Sequence, residues 1–190
     1  TKTTTKERGS MTKNKNTKIM NIYGTTRYVY LSSPDTKWDP KGKYHITLEV
    51  DKDKAQEARK AIDDIIGKEV ADEHIANPNG KPVERGALQY GIEDKIITFK
   101  AQTKFKPEIV DRRNKPIDPE VSIWGGTTLW ADIKLEGYNT NNKIGCKVYL
   151  MGVQIDDLVK GSGNGVSRFP DRGEKPSVLP EHKEPPKELY

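Results

Sequence analysis

Thr98–Lys106, TFKAQTKFK, carries lysine at 100, 104 and 106 and no acid. Side chains alternate between the two faces of a strand. Read as a strand, the stretch therefore puts Phe99, Ala101, Thr103 and Phe105 on one side and Lys100, Gln102, Lys104 and Lys106 on the other. A row of ammonium groups of one sign suits an anion lying along a sheet, because a solvated face ordinarily mixes signs. The competing reading is a soluble edge strand whose lysines block pairing with another sheet. This strand alone leaves both open.

Aromatic residues are interleaved with further cations. A surface that takes a nucleic-acid single strand without reading its sequence needs cations for phosphates and aromatic faces for bases. Trp38 stands among Lys37, Lys41 and Lys43 in a proline-containing segment, where packing explains it poorly. Trp130 is in the outward register of its strand with Lys134, and Lys147 and Tyr149 share the outward register of the last strand. For Trp130, cover by the helix or by a partner chain competes with ligand contact. Trp124, beside Gly125-Gly126, reads as a packing residue, and Tyr28 and Tyr30 read as core or rim of the first strand.

Catalytic chemistry finds little support. His45, His74 and His182 are scattered, without the partner spacing that metal sites need. Asp63-Asp64 and Asp156-Asp157 are adjacent pairs, which point in different directions and read as solvated charges. No phosphate-binding GxxxxGK[ST] loop is present, and Gly161-Ser162-Gly163-Asn164-Gly165 reads as a linker. The single cysteine, Cys146, excludes an intramolecular disulfide and reads as a small core thiol. The expectation is a protein that is not an enzyme, with no cofactor and no metal. No apolar run reaches membrane-spanning length and no signal-peptide core is seen, so a soluble intracellular protein is expected.

The elements that must position these residues follow from periodicity. Residues 18–32 read as extended, 32–43 as a loop, and Lys43–Val50 as a half-buried strand. Asp51-Lys52-Asp53 offers N-cap chemistry for a helix running to about Ile66 and resuming toward Ile75. Residues 77–94 read as loop, 96–106 as a strand, 127–138 as a strand with Leu129, Ala131, Ile133 and Leu135 inward, and 144–155 as the last strand, with a bulge or a close approach at Gly152. The pattern is mainly β: a five-stranded OB-type barrel with one inserted helix and disordered N- and C-terminal tails. The expected divisions are a basic flexible segment at 1–17, the barrel domain at 18–159 and a flexible tail at 160–190. Gly9-Ser10 ahead of Met11 reads as an appended leader, with Met11 the native start. Net charge is +5, and the excess is uneven: residues 1–50 hold ten Lys/Arg against four Asp/Glu, while the helical stretch 51–100 holds nine against eleven.

The segment FKPEIVDRRNKPIDPEVSIWGGTTLWADIKLEGYNTNNKIGCKVYLMGVQIDDL, Phe105 to Leu158, resembles the C-terminal half of tailed-phage single-stranded DNA-binding proteins with an OB fold. The shared pattern is an IVD turn followed by KP, a Gly-Gly strand start, a Tyr-Asn corner and a strand ending in GVQ. The upstream GKYHITLEV followed by a helix also fits, and the resemblance spans roughly 18–158. It implies sequence-independent binding of single-stranded DNA in phage replication, recombination or repair, in the cytoplasm of an infected bacterial host. It implies a homodimer, and a C-terminal tail that contacts replication proteins such as a polymerase or helicase-primase, here through Leu189 and Tyr190. The tail departs from the acidic pattern of such proteins, since residues 170–190 hold five acids and four bases. The DNA-binding set expected on this reading is Lys37, Trp38, Lys41, Lys43, Lys100, Lys104, Lys106, Trp130, Lys134, Lys147 and Tyr149. An RNA-binding OB module and a protein-interaction or virion structural β-domain stay open beside it.

Overall fold

In the computed structural model, residues 16–159 are described; the expected terminal segments, with Leu189 and Tyr190, lie almost wholly outside them. The strands are β1 (Thr17–Asp35), β2 (Lys43–Asp51), β3 (Glu84–Arg85), β4 (Tyr90–Ile92), β5 (Ile96–Thr103), β6 (Glu108–Val110), β7 (Thr128–Thr140) and β8 (Lys143–Asp157). One helix, α1 (Gln56–Ala76), follows β2.

Five long strands close a barrel. They are hydrogen-bonded in the order β8-β7-β1-β2-β5, and β5 meets β8 again in parallel at Gln102 and Tyr149. The expected OB-type architecture is present: a closed five-stranded barrel with one helix between its second and third strands. The expected alternation of β7 holds, with Leu129, Ala131, Ile133 and Leu135 buried. They meet Ile46 and Leu48 of β2, Ile97 and Phe99 of β5, and Ile144, Val148 and Leu150 of β8 in one core. α1 packs on β1, β7 and β8. Its buried stripe, Ala58, Ala61, Ile62, Ile65 and Ile66, recurs at helical spacing.

Two bulges decide what faces outward. In β1 the register slips between Thr26 and Tyr28, leaving Arg27 unpaired. Inward parity runs through Ile22, Gly24 and Thr26 before the slip and through Leu31 after it. Tyr28 and Tyr30, which unbroken alternation sends to the core, are therefore turned to solvent. In β8 the second slip falls where Asp132 pairs with Gly152 and Ile133 with Leu150, leaving Met151 as the extra residue. That is the bulge expected at Gly152.

Other expectations are corrected. Asp51 and Asp53 do not cap α1: β2 runs through Asp51, a turn intervenes, and the N-cap is Ala55, with no side-chain cap bond. The helix runs without a break to Ala76, through Gly67, which faces open space. The presumed loop at 77–94 contains β3 and β4, held by pairing with β8 and β5. β5 ends at Thr103, not Lys106, because the Thr103 hydroxyl accepts the Phe105 N–H (3.2 Å) and turns the chain. Phe105 is consequently 81% exposed, not on the buried side. β7 and β8 run longer than expected, joined by Asn141-Asn142, both at positive φ (51° and 65°), as a tight two-residue hairpin requires.

Candidate nucleic-acid interface

The wall formed by the second half of β1, β2 and β5 presents two outward rows. Tyr28, Thr47 and Lys100 are cross-strand neighbours in one; Tyr30, His45, Gln102 and Tyr149 are in the other. Tyr28 is 61% exposed and Tyr30 41%. The Tyr30 ring lies 4.6 Å from the His45 ring, centroid to centroid, with the planes tilted by 34°. On its far side Tyr28 and Tyr30 line a groove of about 450 Å³ with Trp124 and Gly125. Trp124, read from sequence as packing, is exposed in this groove.

The loop between β1 and β2 leaves one end of the same wall and is pinned by its aspartates. Asp35 accepts the Lys37 N–H (3.0 Å) and approaches His45 Nε2 (3.1 Å); Asp39 accepts the Lys41 N–H (3.1 Å). The Lys37 N–H and then His45 hold the Asp35 carboxyl below its ordinary range. Gly42 closes the loop at φ 70°, against Pro34, where a Cβ would come within 2.6 Å of the proline ring. On this frame Trp38 is 86% exposed, with Lys37 Nζ 5.2 Å from the ring centroid. Lys43 starts β2 opposite Asp35. His45 Nδ1 is buried without a hydrogen-bond partner.

Past the end of β5, Lys104, Phe105 and Lys106 line a groove of about 520 Å³ with Lys134, Glu136, Tyr149 and Met151. Four of the residues picked from sequence, Lys104, Lys106, Lys134 and Tyr149, thus share one concavity, and Lys100 is two residues from Gln102, the partner of Tyr149, on the same face. Lys134 is already engaged, its ammonium 2.9 Å from Glu136.

Two expected contacts are placed elsewhere. Lys147 lies over the Tyr138 ring (5.4 Å) and opposite Glu136. Trp130 sits against Tyr23, ring centroids 5.1 Å apart, in a different groove with Glu108 and Asp132. Arg27, the bulge residue, is held by Glu93 (2.8 and 2.9 Å) and Glu49, which raise its pKa further and occupy its donors. Tyr28, Tyr30, Trp124 and Phe105 are the surface aromatics that sequence reading did not assign to the site. The exposed Phe105 was readable from the clustered lysines and Pro107 beside it; the tyrosines were not, because their face depends on the bulge. Cys146 is buried, as expected, and burial pushes its thiol up to about 11.

Phosphates of an extended strand fit the lysines of this wall, and base faces fit its aromatics; strands two and three and the loop between strands one and two are where OB folds take oligonucleotides. No triad of His, Cys, Asp or Glu suited to a metal ion is found among the described residues. No helix among them is long and apolar enough to cross a membrane.

No family model and no curated protein sequence matches the chain. Solved structures do. The gp2.5 single-stranded DNA-binding protein encoded by bacteriophage T7 is 25% identical, with a TM-score of 0.64 over 80% of this chain and 98% of that one. The single-stranded DNA-binding protein from bacteriophage Enc34 is 18% identical, with a TM-score of 0.55 over 78% of this chain and 87% of its own. The same protein in complex with single-stranded DNA gives 16% and 0.53, over 76% and 87%. The chain thus shares its OB-type fold with the single-stranded DNA-binding proteins of bacteriophages T7 and Enc34, in line with the resemblance read from its sequence.

Proposed function

We propose that this chain binds single-stranded DNA, without sequence preference and without catalysis, along the β1–β2–β5 wall. The observation that carries the reading is the meeting of exposed aromatics (Tyr28, Tyr30, Trp38, Phe105) with lysines on the strand-two and strand-three face of an OB barrel. Lys37, Lys41 and Lys43 neutralise phosphates together with Lys104 and Lys106 at the end of the wall where Tyr44 pairs with Thr103, and Lys100 does so further along β5. Lys134 and Tyr149 flank it past β5. Trp130 and Lys147 stand outside this path. The phage neighbours, one of them described bound to single-stranded DNA, support this ligand over others.

The biological role that fits is phage DNA replication, recombination or repair inside the bacterial host. On the same reading the protein acts as a homodimer, and Leu189-Tyr190 meets a replication protein. The test is fluorescence anisotropy with a labelled oligonucleotide as single-stranded DNA, duplex DNA and RNA, each titrated with salt. Preferential binding of the DNA single strand, weakening steeply with salt, is expected. Binding that favours RNA or duplex, or no binding at low salt, overturns the reading.

A further inference from the structure

Beyond Lys134 on β7 and Lys106 before β6, a second concavity has chemistry of the other sign. Across β7, β8 and β6, Asp132, Gly152 and Glu108 are direct neighbours; in the next row Trp130, Gln154 and Val110 are. Asn21 and Tyr23 of β1 extend the two rows on the other side. The central position of the acid row is glycine, so no side chain fills the space between the two carboxylates. Their backbones are two strand spacings, about 10 Å, apart. The result is a groove of about 520 Å³ lined by Trp130, both acids, Gln154, Asn21 and Asn114. Trp130 is 47% exposed there.

The groove is unlike the acid pairs of the surface. Neither Asp132 nor Glu108 has an ion-pair or hydrogen-bond partner among the described residues, whereas Asp156 beside them is taken by Tyr23 (2.8 Å) and by Arg112 (2.6 Å). Two unoccupied carboxylates repel a phosphate chain, which removes DNA as the occupant. An indole face attracts a cation within about 6 Å of its centroid, and the Trp130 and Asp132 positions are about 7 Å apart along the strand. Planar, multi-donor and weakly hydrated, a guanidinium meets the indole with its face and the two carboxylates with its edges.

We infer that the Trp130 groove is a docking site for an arginine side chain of a partner protein's basic segment, separate from the DNA-binding wall. Charge complementarity and the glycine-made gap argue for this occupant. The DNA reading is not needed for it.

The test is NMR of the full chain with its tryptophan indole N–H signals assigned through Trp→Phe variants. The probes are acetyl-Gly-Arg-Gly-amide, its citrulline isostere, which keeps the shape and loses the charge, and a thymidine oligonucleotide. A saturable shift of the Trp130 signal with the arginine peptide is expected, weakened at least fivefold with the citrulline peptide. It is expected to be weakened as much in D132N/E108Q, whose folding the unchanged remainder of the spectrum establishes. Should that variant not fold, D132N and E108Q singly carry the same comparison. Equal shifts with both peptides, no shift at millimolar arginine peptide, or a Trp130 shift with the oligonucleotide alone would overturn the assignment.

Discussion

Replacing Lys100, Lys104 and Lys106 with alanine together isolates the electrostatic part of the proposed DNA contact. Six lysines line the path: 37, 41, 43, 100, 104 and 106. None of the six makes an ion pair among the described residues, in contrast to Lys134, which Glu136 holds. Each phosphate neutralised on a single strand contributes about −0.7 to the slope of log K against log salt, so six contacts give a slope of roughly −4 and three give roughly −2. Between 50 and 200 mM salt the parent protein is then expected to lose about 300-fold in affinity and the triple variant about 20-fold.

The three sites are suited to this test because removing them touches no packing. Lys100 points away from the barrel core, and Lys104 and Lys106 lie past the last residue of β5. Exposed substitutions of this kind shift stability by no more than about 0.5 kcal/mol. Anisotropy titrations at four or more salt concentrations give the slope, and circular dichroism establishes that the variant is folded. A folded triple variant with the parent slope would refute the argument that this wall carries the phosphates.

Stacking is expected at Tyr28 and Trp38: alanine at either should weaken single-strand binding by about 1–3 kcal/mol with little dependence on base identity, and an unchanged affinity in a titration of poly-dT and poly-dC oligonucleotides would exclude that ring. Cys146 should resist a thiol reagent in the native protein and react on urea unfolding. Its folded pKa, about 11, lies above the unfolded value, so its contribution to stability is full below about pH 8.5 and is lost as pH rises through about 11; the urea midpoint should fall over that window less in Cys146→Ala than in the parent. Truncation after Val159 should leave a folded core that binds DNA within tenfold of the full chain, because Val159, the last described residue, is itself held in the barrel by its N–H on Thr127 Oγ1 (2.9 Å) and by the Trp124 N–H on its carbonyl (3.1 Å). Removing Leu158 and Val159 as well should lower the melting temperature.

What was legible in the sequence follows from what each feature depends on. β7 was readable residue by residue because the alternation over Leu129, Ala131, Ile133 and Leu135 is unbroken. β1 was readable as a strand but not as a face, since one extra residue at Arg27 inverts everything after it, and nothing in the local composition marks the slip. The end of β5 turned on one hydroxyl, Thr103. β3, β4 and β6 are two or three residues long and owe their form to the strands beside them, so no periodicity announces them. The lysines of the site were legible because a charge seeks solvent whatever the register. Its tyrosines were not, because an aromatic residue is at home on either side of a strand and only the bulge decides which.

The two bulges also separate the two surfaces. The slip at Arg27 sends Tyr28 and Tyr30 outward next to Thr47, His45 and the lysine of β5. The slip at Met151 puts Gly152, and not a side chain, between Asp132 and Glu108. Sheet layers stand about 10 Å apart, and at physiological ionic strength charges are screened over about 8 Å. Lys134, two residues from Asp132 on β7, and Lys106, two residues before Glu108, lie about 7 Å along the chain from those carboxylates, within that length, and form a border at which the two surfaces are coupled. Through that border a cationic peptide in the acidic groove adds positive charge next to the lysines and should raise DNA affinity. An affinity left unchanged by a saturating arginine peptide at matched ionic strength would refute that coupling. A barrel whose lysines and acidic groove meet only at that border can hold DNA on one surface and still present the other to a basic partner.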